Sequence, residues 1–366
     1  MIVEGALIDL EGTRRGYVRL KEGVVLETGS IGTDSTRGRE RRVRGIVLPR
    51  AVNTHTHLGD AAFPREPPPG PVSRIVAPPN GIKFRILSER SPAEKRSAMR
   101  SSLRRMSAEG TGAVVDFREE GLAGARLLRS AARGTDVEVV LLGRPLTRPV
   151  DRRELSELLG VADGVGLSSA REEERSTRET IARACRARHK RYALHASEVV
   201  REPVEDYLRP RPDLLVHMLR ATEEDLRIVA ESGVPIAVCP RSNALFGLKP
   251  DLARLERLGA TVLLGTDNAM FSAPSIFREL EFAYASQRLR RRPVSPTMLV
   301  RAAFLAPWVW LGRPERARIS EENPHPPLVL RLPDEDPEYQ VVTRAAEHLM
   351  IPAASGSRWT GPTDEE

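Results

Sequence analysis

Val52-Asn53-Thr54-His55-Thr56-His57 follows the apolar run Ile46-Val47-Leu48. Residues two apart on a strand face the same way, about 6.5–7 Å apart along the chain. His55 and His57 would therefore aim two imidazoles at one point where the strand stops. A single divalent ion accepts both, at about 2.0–2.1 Å each if it is zinc. Such a pair alone is more often structural or accidental than a metal site, so the decision rests on what surrounds it.

Upstream, residues 2–46 read as short strands punctuated by Gly12, Gly16, Gly23 and Gly29, with no helical periodicity. Downstream, short apolar runs alternate with amphipathic helical segments, the pattern of βα units on a parallel sheet. After the first strand, residues 58–90 carry seven prolines and read as a lid or binding loop. Ser91-Pro92-Ala93-Glu94 then has capping-box spacing, with proline at the first helical position. Ser176-Thr177-Arg178-Glu179 reads as a second such box.

Seven more strands follow. They cover 111–117, ending Asp116-Phe117-Arg118-Glu119; 137–142, ending Gly143-Arg144-Pro145; and 164–167, ending Ser168-Ser169. The next are 192–194, ending His195-Ala196-Ser197-Glu198, and 214–216, ending His217. The last two are 234–238, ending Cys239-Pro240-Arg241-Ser242-Asn243, and 261–264, ending Gly265-Thr266-Asp267-Asn268. Eight units over roughly 260 residues fit an α/β fold, a (β/α)8 TIM barrel. The expected domains are a barrel over 49–315, a small β-sandwich module from 1–48 and 316–352, and a tail over 353–366. Residues 327–330 and 340–343 are expected to return as strands to that module.

Bulk properties narrow the class. The chain has 366 residues, 40% hydrophobic and 4% aromatic, and no apolar run approaches a membrane span. The opening residues carry Glu4 and Asp9 and do not read as a signal peptide. A soluble, cytoplasmic protein is expected, with a homodimer left open. Two cysteines in unrelated contexts support neither a disulfide framework nor a zinc finger. The net charge of +7 is almost wholly arginine, clustered at 37–44 and 288–292. These clusters lack interleaved aromatics and any recognition motif, which argues against nucleic acid as partner. A salt-bridged surface, as in a thermophile, accounts for them better.

Barrel enzymes gather catalytic residues at the C-terminal ends of strands. His55, His57, His195, His217 and Asp267 all end predicted strands, and they include four of only seven histidines. Packing does not explain that concentration; a metal site does. Asn53-Thr54-His55-Thr56-His57, His195-Ala196-Ser197-Glu198, His217, Cys239-Pro240-Arg241-Ser242-Asn243 and Gly265-Thr266-Asp267 resemble the amidohydrolase superfamily along the whole chain. Within it they resemble the branch of cytosine deaminase, chlorohydrolase and S-adenosylhomocysteine deaminase.

The resemblance implies one divalent metal ion, Zn2+ or else Fe2+ or Mn2+, on His55, His57, His195 and Asp267. It further implies that His217 orients the attacking water, that Asp267 takes its proton and that Glu198 protonates the substrate ring. The bridging lysine of binuclear relatives is missing from the end of strand four, and Glu172 is a weak substitute. A small heterocyclic substrate is expected, deaminated by hydrolysis. Arg118, Glu119, Arg144, Lys83 and Asn268 are candidate substrate contacts, although Arg118 and Arg144 equally fit internal ion pairs and Lys83 more readily fits solvent. Two alternatives remain: a hydrolase of a cyclic amide or C–Cl bond on the same site, and a non-catalytic nucleic-acid-binding protein.

Overall fold

The computed structural model describes residues 1–32, 40–78, 80–321, 323–347 and 349–350. The expected tail at 353–366 and part of the arginine cluster at 37–44 lie outside these residues. The chain divides into two compact units. One holds the described residues within Met1–Val52, Ala108–Thr111 and Ser295–Glu366; the other holds Asn53–Ser107 and Gly112–Val294.

The first unit is built on a six-stranded sheet drawn from both ends of the sequence. β1 (Ile2–Asp9), β2 (Gly12–Lys21), β3 (Val24–Gly29) and β4 (Arg42–Leu48) supply its N-terminal part. β1 runs antiparallel to β2 and parallel to β4. Val3, Leu7, Val18, Leu20, Val25, Val43 and Val47 form its buried face. The returning strand Leu328–Leu330 pairs antiparallel with β4, as expected of 327–330. Residues 340–343 do not return as a strand. They belong to the helix Pro337–Arg344, which buries Val341 and Val342. That Val-Val pair satisfies a helix stripe as well as a strand, and Pro337 at the first turn favours the helix. Residues 295–315, placed in the barrel from sequence, cluster with this unit.

The second unit carries the barrel. Its strands are β5 (Ala51–His57), β6 (Thr111–Arg118), β7 (Glu138–Gly143), β8 (Gly164–Leu167), β9 (Arg191–Ala196), β10 (Leu214–His217), β11 (Ile236–Val238), β12 (Val262–Leu264) and β13 (Asp267–Asn268). They lie in the spatial order β12-β11-β10-β9-β8-β7-β6-β5-β13. β12 and β13 are two halves of one strand broken at Gly265-Thr266. The second half pairs in parallel with β5, Asp267 opposite Thr56 and Asn268 opposite His57. The sheet therefore closes on itself, and its eight-strand cylinder is the (β/α)8 barrel read from the sequence. Continuous burial of β6, β8 and β10–β12, and of β9 after Arg191, follows from that closure, since a parallel barrel covers both faces.

Residues 58–90 are not the structureless loop expected. They hold a 3-10 turn (Leu58–Ala62) and two short helices, α1 (Val72–Val76) and α2 (Ile82–Ser88). α3 (Pro92–Ala108) starts as its sequence requires: Ser91 N–H donates to Glu94 Oε2 at 2.9 Å, and Glu94 N–H donates to Ser91 Oγ at 3.2 Å. Met99, Leu103 and Met106 on α3 pack with Val114, Leu128, Leu141 and Leu158. The second expected box fails: that helix spans Arg175–Arg186, begins one residue before Ser176, and has no side-chain cap. Among the described residues no helix is long and apolar enough to cross a membrane.

Candidate metal centre

Four strand ends deliver the site. β5 brings His55 and His57, β9 brings His195, β10 brings His217, and β13 brings Asp267. Asp267 Oδ1 lies 3.2 Å from His55 Nε2 and 3.5 Å from His57 Nε2. His195 Nε2 lies 3.2 Å from His55 Nε2. Four donors at about 2.0–2.1 Å from a tetrahedral zinc stand roughly 3.3 Å apart. The three measured separations fall around that value.

The proton positions agree. His195 Nδ1 sits 2.9 Å from the carbonyl of Leu167. The imidazole proton belongs on that nitrogen, which leaves the Nε2 lone pair facing His55. Burial holds His55 down at about 4 and His195 well below the ordinary histidine range, so both are neutral at neutral pH. The His195 Nε2 lone pair, 3.2 Å from His55 Nε2 and beside the Asp267 carboxylate, belongs to a donor set that fits a cation. Burial opposes the charge on Asp267, but the surrounding imidazoles win and hold it well below the usual carboxylate range. Its second oxygen, Oδ2, accepts from Ser242 Oγ at 2.5 Å, which turns Oδ1 toward the histidines. Asn53 ties the two ligand-bearing segments together: its Nδ2 donates to Thr266 Oγ1 at 2.8 Å and its Oδ1 accepts from Thr266 N–H at 3.1 Å.

His217 is arranged differently. Asn243 Nδ2 approaches its Nδ1 at 3.3 Å, while its Nε2 lies 3.5 Å from Glu198 Oε1. A donor at Nδ1 puts the proton on Nε2, facing Glu198. Burial lowers His217 to about 4. Burial, then the charge of Asp267, raises Glu198 to about 8. Glu198 and Asp267, both carboxylates, are thus driven to opposite protonation states at neutral pH.

A cavity of about 730 Å³ opens on these residues, with His57, His195, Glu198, His217 and Asp267 on its wall. Of the candidate substrate contacts, Arg144, Asn268, Lys83 and Glu119 border it. Arg144 donates from Nε to Glu172 at 2.5 Å. Glu172 also accepts from Ser168 N–H at 2.6 Å and pairs with Arg148, so it is committed within this network. Asn268 Oδ1 accepts from Met270 N–H at 2.9 Å and shapes the turn after β13. Arg118 faces inward, 1% exposed, with Nη2 3.0 Å from Glu119 Oε2. Lys83 is not solvated, as the sequence favoured, but 2% exposed and paired with Asp60 and Glu119.

The sequence also left Ser242, Asp60 and Glu279 without a role. Glu279 is wholly buried, is raised to about 7 by that burial, and accepts from Arg241 N–H at 2.6 Å, which anchors the turn bearing Ser242. Its position one turn from both Ile276 and Ala283, on the apolar face of its helix, was the available signal.

Comparison with known proteins follows the same line. Residues 46–306 match the sequence profile of the amidohydrolase family. A protein of Methanothermobacter thermautotrophicus, provisionally named an aminohydrolase, is 32% identical over 356 residues, covering 90% of this chain and 92% of that one. Guanine deaminase from C. acetobutylicum, solved with guanine in its active site, superposes with a TM-score of 0.76 at 12% identity, covering 96% and 98% of the two chains. Atrazine chlorohydrolase from Arthrobacter aurescens TC1, complexed with zinc, superposes at 0.74 with 17% identity, covering 96% and 94%.

Proposed function

The chain belongs to the amidohydrolase family and is a hydrolase acting on C–N bonds, and on that footing we propose that it is a metal-dependent deaminase of an amino-substituted heterocycle, of the purine, pyrimidine or pterin kind. His55, His57, His195 and Asp267 would hold one divalent cation, zinc, iron or manganese, with a further coordination position facing the cavity for water. Bound there, the cation would acidify water and supply a nucleophile at neutral pH.

The residues of the chain do the rest. Glu198, protonated, faces the cavity and delivers a proton to the ring nitrogen beside the attacked carbon. His217, neutral with its proton on Nε2, donates a hydrogen bond to the oxygen that becomes negative as the carbon turns tetrahedral. Asp267, ionised, accepts the proton that the attacking water sheds. Asp267 passes that proton to the amino group, which departs as ammonia, while the hydroxyl proton returns to Glu198 as the carbonyl forms. The observation that carries this reading is the convergence of His55, His57, His195 and Asp267 with His217 and Glu198 at one cavity, and burial that favours a protonated Glu198 agrees with it. Both cysteines are buried free thiols, which supports a reducing, cytoplasmic setting.

The test is a screen of metal-replete protein against aminated heterocycles, scored by ammonia release. One equivalent of ammonia per product supports the reading; none across purines, pyrimidines and pterins overturns it. Hydrolysis of a C–Cl bond or a cyclic amide is the second reading, favoured by the likeness to the chlorohydrolase fold. Release of chloride, or ring opening without ammonia, would select it.

A further inference from the structure

A buried network lies behind His57. Glu119, just past the end of β6, has its Oε1 2.9 Å from His57 Nδ1. The same oxygen takes the ammonium of Lys83, and Oε2 takes Arg118 Nη2 at 3.0 Å. Lys83 Nζ reaches a second carboxylate, Asp60 Oδ2, at 2.8 Å. Asp60, Lys83 and Glu119 are 0%, 2% and 5% exposed. One ammonium therefore joins three segments: α2, which carries Lys83; the turn after β5, which carries Asp60; and the end of β6.

Residues of the α1–α2 stretch, Val72, Val76 and Phe84 among them, wall the cavity. Among the described residues of this stretch, Lys83 is the charged group that reaches the network, and its side chain is 3% exposed. A substrate anion has little access to it. A buried ammonium also tolerates no lost partner, because the charge left behind is uncompensated.

We propose that Lys83 and Glu119 are positioning residues for His57, and that the α1–α2 stretch is fastened over the cavity by the same ammonium. Glu119 Oε1 faces His57 Nδ1 at 2.9 Å, and a small turn of the ring would make it the acceptor of the Nδ1 proton, fixing the tautomer with Nε2 toward Asp267. Lys83 holds that oxygen in place. The segment that covers the cavity and the ring that binds the cation are thus set by one contact. This rests on the reading of His55, His57, His195 and Asp267 as the ligands.

The experiment measures Zn2+ affinity by competition with a chromophoric chelator, in wild type, Lys83→Met, Glu119→Gln and the double variant. Lys95→Met is the control, since Lys95 pairs with Glu120 and not with His57. Each single variant is expected to bind Zn2+ about 10–100-fold more weakly. The double variant should be no weaker than the worse single, because both act on one ring. Lys95→Met should match wild type. The d–d bands of the Co2+-loaded singles should shift, a change that general loosening of the fold does not produce. Wild-type affinity and spectra in Glu119→Gln overturn the proposal even if Lys83→Met fails to fold. An equal loss in Lys95→Met overturns it as well. A wild type that binds no Zn2+ would instead sink the metal reading itself.

Discussion

Asp267 sits in the left-handed region at φ 59°, and so do His217 at 74° and Ser197, beside Glu198, at 47°. None is glycine, so each adopts a conformation that costs on the order of 1–2 kcal/mol. The strain falls where strands must stop and their side chains turn inward over the cavity. The meeting of His55, His57, His195 and Asp267 was legible because strand alternation and strand endings are written in the order of residues. The partners of Lys83 were not, because Asp60 and Glu119 reach it from 23 and 36 positions away. Glu198→Gln should keep about one metal per chain in metal analysis while kcat falls roughly 10²–10⁴-fold. Asp267→Ala should lose metal and activity together. Because the proposed mechanism uses Glu198 in its protonated form and burial raises it to about 8, kcat/KM should fall as pH rises through that value. The pH–rate profile should lose this alkaline limb in Glu198→Gln.

At the scale of elements, the closing strand shows how tightly the site is fitted. Gly265 stands between β12 and β13, and a Cβ there would lie 2.7 Å from His55 Cβ and 2.8 Å from His55 N. The contact is with backbone, so no side-chain rotation relieves it. Gly265→Ala should destabilise the protein by roughly 1–3 kcal/mol in denaturant unfolding and push His55 out of line, with weaker Zn2+ binding. Seven of the eight barrel strands were readable as short apolar runs ending in polar or turn residues; the first, Ala51–His57, is mostly polar, and the run Ile46-Val47-Leu48 before it belongs to β4 of the other sheet. The helices of 58–90 were not: α1 and α2 have five and seven residues, too few turns to establish a period among prolines. Ser176 fits the capping spacing, yet the helix starts at Arg175, because Arg178 turns inward and bonds the carbonyls of Ala170 and Glu173.

For the molecule as a whole, a cation that binds only the folded state adds stability by mass action, about 4 kcal/mol at a thousandfold excess over Kd. Thermal unfolding should shift upward on adding Zn2+ and fall back with chelator, and an unchanged midpoint would argue against a site formed only in the barrel. Part of the arginine-rich surface is paired: Arg153 with Glu157, Arg201 with the buried Asp225, Arg257 with Glu223. The exposed pairs of Arg153 and Arg257 each contribute little alone. Asp267 comes from the last strand to join the cylinder, 72 positions after His195. During synthesis on the ribosome the three imidazoles emerge first, and the nascent polypeptide lacks both the carboxylate and the staves that bring them together. Capture of the ion thus reports completion: a product truncated after Gly259 should hold Zn2+ no better than a short histidine peptide in equilibrium dialysis.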